Sequence, residues 1–259
     1  MWRHPAVLGT LFGIAVLMVT IDGPLLELVR GIDGDAKAVI DRFASSGDSK
    51  YSLIPLAIAV AICTALYLVE ASTVRARLYA WLAGAFGFVF VSIAFSGILV
   101  NVVKILLGRA RPQVAEVLTW PIFQPFALSG DFHSFPSGHG NTVFAIAIAV
   151  GLFFPKIRVH LLVIAAALAF CRVLQFKHFV SDSVGGALLA FMTTYWLRSI
   201  FARRNIVFCQ GGDGRIRLTS PGRFLLSRPF LRKIGFSKSV ARADRGSSGH
   251  AVIEKGSAD

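Results

Sequence analysis

Six apolar stretches constrain this chain more than anything else in it. They occupy about residues 6–21, 52–69, 78–103, 141–154, 157–170 and 183–201. A helix crossing the roughly 30 Å hydrocarbon layer of a bilayer needs about 20 such residues. Only a helix or a closed barrel satisfies its own backbone there. The fourth and fifth stretches have fourteen residues each, and at 1.5 Å per residue these reach only about 21 Å. Each is therefore expected to continue as helix into its polar flank, with the tight turn Phe-Pro-Lys-Ile-Arg between them. The expected fold is all-α: a polytopic membrane bundle of six transmembrane helices. Composition agrees. Hydrophobic residues make up 55% and charged residues 16%, against roughly 45–50% and about 25% in soluble domains. Disordered, collagen-like and coiled-coil classes are excluded. Cys63, Cys171 and Cys209 lie far apart without CxxC spacing, which points to neither a disulfide framework nor a zinc site.

The net charge of +13 is unusual for so apolar a chain. Arg75 and Arg77, Lys156 and Arg158, and Arg198, Arg203 and Arg204 fall in alternate connections. With the N-terminus inside, all three clusters lie on the cytoplasmic side, as the positive-inside rule prefers. The first stretch reads as a retained span, because Ile21-Asp22-Gly23-Pro24 offers no Ala-x-Ala cleavage site. The opposite face receives residues 22–51, 104–140 and 171–182. It too carries cations, Lys104, Arg109, Arg111, Arg172 and Lys177, which topology does not require. Residues 32–43 have helical apolar spacing and suit an interfacial helix, either an ordinary loop helix or one that gates a substrate. Residues 1–204 are expected to form the membrane domain and 205–259 a basic cytoplasmic tail. That tail has ten Lys/Arg against four Asp/Glu; short helical pieces are expected at 224–226 and 230–234, and disorder after about 237. It suits anionic lipid, and no nucleic-acid motif accompanies it.

Three motifs lie on the face with the surplus cations. Lys104 and Arg111 in Lys-Ile-Leu-Leu-Gly-Arg-Ala-Arg-Pro are seven apart, so both project from one side if the helix continues; Pro112 disfavours helix at Arg111. Alone, they fit lipid headgroups equally well. Pro136-Ser137-Gly138-His139 precedes an apolar helix. Ser137 can cap it, Gly138 allows close approach, and free amides at a helix start favour an anion; alone, this is also an ordinary capped helix. His178 and Asp182 have i,i+4 spacing, so a carboxylate can fix the imidazole tautomer and leave the other nitrogen free as base, nucleophile or metal ligand. Arg172 precedes His178 by six residues, so the chain must turn between them if they converge. Isolated pairs of this kind are also structural.

Together these residues resemble the signature of the type-2 phosphatidic acid phosphatase superfamily: Lys-x6-Arg-Pro, Pro-Ser-Gly-His and Ser-Arg-x5-His-x3-Asp. The resemblance covers about residues 50–204, with Cys171 standing where the last motif has serine. It implies a lipid phosphatase, with His178 as the nucleophile that forms a phosphohistidine and Asp182 orienting its ring. His139 would protonate the leaving oxygen and then activate water. Lys104, Arg111 and Arg172, with Ser137 and Gly138, would bind the phosphate. No metal or other cofactor is implied. The substrate is a membrane-lipid phosphate: lipid A is favoured, with undecaprenyl pyrophosphate, phosphatidylglycerol phosphate and phosphatidic acid as alternatives. The implied location is a bacterial inner membrane, with the site facing the exterior and both termini cytoplasmic. The aromatic loop 113–135, with Trp120, Phe123, Phe126, Phe132 and His133, suits a lipid or sugar site or an interfacial belt. Readings of another class are an anion transporter and a catalytically inactive lipid-binding relative.

Overall fold

The computed structural model describes residues 4–30, 38, 40–43, 47–115 and 123–219. The expected helices at 224–226 and 230–234, the disorder after 237, Trp120 and most of 32–43 lie outside the described residues. Among the described residues the fold is carried by the helices α1 (His4–Thr20), α2 (Asp22–Val29), α3 (Ser49–Val69), α4 (Thr73–Leu107), α5 (Gly138–Phe153), α6 (Arg158–Leu174) and α7 (Val180–Arg203). A four-residue helical turn, Pro112–Ala115, follows α4.

α3, α4 and the stretch Pro155–Leu174 that contains α6 are each long and apolar enough to cross a membrane; α1 and α2 qualify as one span bent by 49°. Their surfaces explain why. On α3, Ile54, Ile58, Ile62 and Leu66 are exposed at four-residue intervals, and on α6 Val159, Val163 and Ile164 are exposed. A continuous apolar stripe facing outward is the inverse of a soluble helix and suits lipid. α5 has only 16 residues and α7 has polar and small side chains along much of its length. Both are central. α7 packs against α1, α4, α5, α6 and the first strand, burying Ser181, Ser183, Gly185, Gly186, Thr193 and Thr194. Small residues let helices approach closely where apolar area gives little driving force. The extension of the two short stretches is as expected: α5 begins at Gly138 and α6 runs to Leu174, which brings His139 and Arg172 onto helix ends.

The boundary expected at residue 204 falls inside the packed body. Strands β1 (Phe208–Gln210) and β2 (Ile216–Leu218) form an antiparallel hairpin. Its Phe208 is buried with ring centroids 4.9 Å from Phe88 and 5.5 Å from Phe153. Arg198 donates to the Ile216 carbonyl at 2.6 Å, and the Trp81 indole N–H donates to the Thr219 carbonyl at 2.6 Å. The sequence signal was a Gly-Gly-Asp-Gly turn between short β-prone runs, hidden by the basic composition around it. Phe208→Ala should therefore lower stability by about 3 kcal/mol, read as a fall in thermal midpoint of the detergent-solubilised protein. An unchanged midpoint would mean the hairpin is not part of the core.

Candidate functional site

α4 ends earlier than the spacing of its cations suggests. Gly108 adopts left-handed φ of 58° and its N–H donates to the Lys104 carbonyl at 2.8 Å, an αL helix stop that favours glycine. A Cβ there would also collide with the Gln124 backbone. Lys104 and Arg111 therefore do not share a helix face; the chain turns between them. Arg111 is held by its amide, which donates to the Asp131 carbonyl at 2.7 Å. The same turn sends Arg109 inward, to 1% exposure.

The second motif forms the start of α5. Ser137 is the N-cap, with its hydroxyl accepting from the Gly140 N–H at 3.2 Å. The amides of Gly138 and His139, first in the helix, have no intrahelical acceptor. The Ser137 amide itself donates to the Asp182 carbonyl at 2.9 Å, which joins the second motif to the third. Gly186 makes that junction possible: a Cβ there would lie 2.5 Å from the Ser137 carbonyl oxygen and 2.9 Å from the Asn141 nitrogen. Gly185 is similarly close, with its Cβ position 2.5 Å from the Phe135 ring.

The third motif turns as the convergence of Arg172 and His178 requires. α6 ends at Leu174, and Phe176 takes a left-handed φ of 59°. His178 and Asp182 do not sit on one helix face, because α7 begins only at Val180. Asp182 occupies the first turn instead, and its Oδ2 accepts from the Phe179 N–H at 2.9 Å and from Ser134 Oγ at 2.5 Å. His178 Nδ1 lies 3.4 Å from that oxygen.

Six of the eight residues singled out by sequence line one cavity of about 470 Å³: Lys104, Arg111, Gly138, His139, Arg172 and His178. A Cβ placed on Gly138 would be 3.8 Å from Lys104 Nζ, so the ammonium stands beside the start of α5. Ser137 and Asp182 lie behind the cavity wall, one supporting the helix start and the other the His178 ring. Burial holds the His178 ring below the ordinary histidine value; Asp182 opposes this, and the charges of Lys104 and Arg111 add to it. Both His139 ring nitrogens are buried without a hydrogen-bond partner among the described residues. Arg172 donates to Gln175 Oε1 at 2.8 Å, and Gln175 in turn donates to Asp41.

Several residues near the site were not singled out. Asp48 starts α3 without a side-chain cap bond, and its carboxylate is 3.8 Å from His139 Nδ1. Nothing local in the sequence ties it to a histidine 91 positions away. The Gly-Gly pair after Asp182 was a visible signal of close backbone approach. Phe123 and Phe126 are exposed and do not line the cavity, while the His133 ring is held 2.9 Å from the Ala127 carbonyl oxygen. Among the described residues no three His, Cys, Asp or Glu side chains group closely enough to hold a metal ion.

Residues 85–206 match the model of the PAP2 superfamily. Lipid A 1-phosphatases of Rhizobium johnstonii and Rhizobium etli are 35% and 34% identical over 143 residues, 55% of this chain. The match spans 57% and 60% of those relatives' own length. In fold, the chain is similar to the crystal structure of the first transmembrane PAP2 type phosphatidylglycerolphosphate phosphatase from Bacillus subtilis. The TM-score is 0.52 at 19% identity, over 76% of this chain and 94% of that one.

The close approach of α7 to the start of α5 predicts a sharp effect of one methyl group. Gly186→Ala should force the two helix starts apart and lower the thermal midpoint of the detergent-solubilised protein by several degrees. An unchanged midpoint would show that the helices can separate without cost.

Proposed function

We propose, from the match of residues 85–206 to the PAP2 superfamily model, that the chain is a membrane lipid phosphatase working through a phosphohistidine. The observation that carries this reading is the cavity, which gathers three cations and two histidines around one helix start. A phosphate monoester keeps its negative charge through transfer, so catalysis depends on positioning and fixed positive charge. Lys104, Arg111 and Arg172 supply that charge from three separate elements. The Gly138 and His139 amides add donors at the positive end of α5. With that much fixed charge, hydrolysis proceeds without a divalent metal.

Neutral His178 attacks phosphorus. An N–P bond forms as the P–O bond to the lipid breaks, and protonated His139 gives its proton to the leaving oxygen. The phosphorylated ring carries positive charge beside the Asp182 carboxylate. His139, now neutral, takes a proton from water; the water oxygen attacks phosphorus, the N–P bond breaks, and phosphate leaves. Ser137 acts from behind the cavity wall, by capping the helix that carries these donors.

The same cavity supports a lipid as substrate. Its lining runs along α4 from Ile93 to Lys104 and includes Leu53, Ala94, Gly97 and Ile98. Eleven residues of helix separate Ile93 from Lys104 along that lining, about 16 Å. A substrate with phosphate at one end and hydrocarbon at the other fits that gradient. The two Rhizobium relatives favour lipid A phosphate as the substrate. In this reading α1–α2, α3, α4, α5, α6 and α7 supply six spans in a bacterial inner membrane. Both termini are cytoplasmic and the cavity opens to the exterior.

His178→Ala should abolish phosphate release from lipid A in detergent micelles while the protein still inserts. Saturable lipid binding without turnover in the wild type would instead favour a binding protein. The direction of the His178 shift gives a second test. A ring held below its ordinary value of about 6.5 is already neutral at that pH and becomes protonated only as pH falls further. The acid limb of kcat/KM should thus lie below about pH 6.5. A limb centred above 7 would contradict a buried neutral nucleophile.

A further inference from the structure

Among the described residues the least exposed acidic and basic side chains, Asp22, Arg109 and Asp182, meet in one cluster, and Asp22 comes from outside the matched residues 85–206. Asp22 opens α2, is 2% exposed, and lies in the bend of the N-terminal helix pair. An acid there is costly unless paired, and its partner identifies its role. Arg109 holds it at 2.9 Å through one guanidinium nitrogen. The other terminal nitrogen donates to Asp182 Oδ1 at 2.5 Å and to Ser181 Oγ at 2.6 Å. Ser181 closes the circuit: its hydroxyl donates to Asp22 Oδ2 and its amide to Asp22 Oδ1 at 3.1 Å. The guanidinium also stands 4.4 Å over the Phe179 ring, next to His178.

We propose that Asp22 is a positioning residue for the reaction at His178, acting through Arg109 and Ser181 on Asp182. The inference rests on the phosphohistidine reading. Its physical basis is charge sharing among buried groups: Asp22, Arg109 and Asp182 are each no more than 2% exposed. Two carboxylates divide one guanidinium, so the trio carries a net negative charge facing a ring that must turn cationic. Were Arg109 to face Asp182 alone, its whole charge would be spent on the carboxylate that supports His178. At low local dielectric such changes act strongly over short distances. Asp22 also fixes geometry: it accepts the free Ser181 amide in the first turn of α7, one residue before Asp182. It therefore restrains both the charge and the direction of the group behind His178.

A plain structural tether is the competing account, in which Asp22 only pins α1–α2 to the bundle. The two differ in what Asp22→Asn does to folded protein. The amide keeps the shape and its oxygen still accepts from the Ser181 N–H, while its NH2 cannot accept from Arg109, so the variant removes one negative charge together with the Arg109 pair. Phosphate release from lipid A and from phosphatidic acid in detergent micelles would be measured for wild type and variant, with thermal midpoints alongside. The expected result is a kcat lower by about tenfold, below the hundredfold cost of a 1 Å displacement, with KM within about twofold. The acid limb of kcat/KM should also move to lower pH, because a lost negative charge makes the ring harder to protonate. Asp182 from α7, Lys104 from α4, and Arg111, Arg172 and His139 around the cavity are unchanged in the variant, so the shift reports Asp22.

A folded Asp22→Asn protein with wild-type kcat and an unmoved limb overturns the proposal and leaves the phosphatase reading intact. A wild type that releases phosphate from neither lipid overturns both. If Asp22→Asn does not insert, Ser181→Ala serves in its place, since it removes the bridging hydroxyl and leaves both charges. A severalfold lower kcat at unchanged KM is then expected, and wild-type kcat overturns the proposal.

Discussion

One main-chain hydrogen bond organises the site: the Ser137 amide donating to the Asp182 carbonyl. It ties the start of α5 to the first turn of α7, and thereby one histidine-bearing segment to the other. The bond requires two helix starts to meet almost backbone to backbone, which is why Gly186 has no room for a side chain. Everything the cavity does depends on that junction. It brings Gly138, His139 and His178 to one cavity, with Asp182 and the buried Arg109 behind the His178 ring. Burial supplies the rest. Removing water makes each fixed charge count for more, and obliges each to find a partner.

The sequence made the residues of the site legible but not the way they meet. Lys104, Arg111, Gly138, His139, Arg172 and His178 are singled out by motif spacing, and they share a cavity. The geometric reasons attached to two of those spacings were different from the real ones. Lys104 and Arg111 were expected on one helix face, whereas Gly108 stops the helix and a turn joins them. His178 and Asp182 were expected one helical turn apart, whereas His178 lies before the helix and Asp182 reaches back from its first turn. In both cases the stopping signal was a local preference, a left-handed glycine or an acid at a helix start. The apolar periodicity nearby was the stronger pattern and masked it.

What stayed hidden was long-range. Asp22 and Arg109 are 87 positions apart and each has an ordinary local explanation, as a helix-start acid and a loop cation. Asp48 is equally plain until it stands across from His139. The hairpin after Arg203 was obscured for another reason: composition averaged over 205–259 describes a polar basic tail, while two residues in it, Val207 and Phe208, are as buried as any in the bundle. Sequence reading resolves patterns within a window and loses single residues that matter only through distant partners.

The length of α4 has a consequence for how the molecule sits in a bilayer. Its 35 residues rise about 52 Å, against about 30 Å of hydrocarbon. Tilt alone within the usual 0–40° range cannot absorb that mismatch, so the ends of the helix must stand in the headgroup layers. Lys104, one turn from the C-terminal end, and Arg75 and Arg77, at the N-terminal end, lie on those two ends. A helix with such overhang tolerates membranes of different thickness by changing how much protrudes.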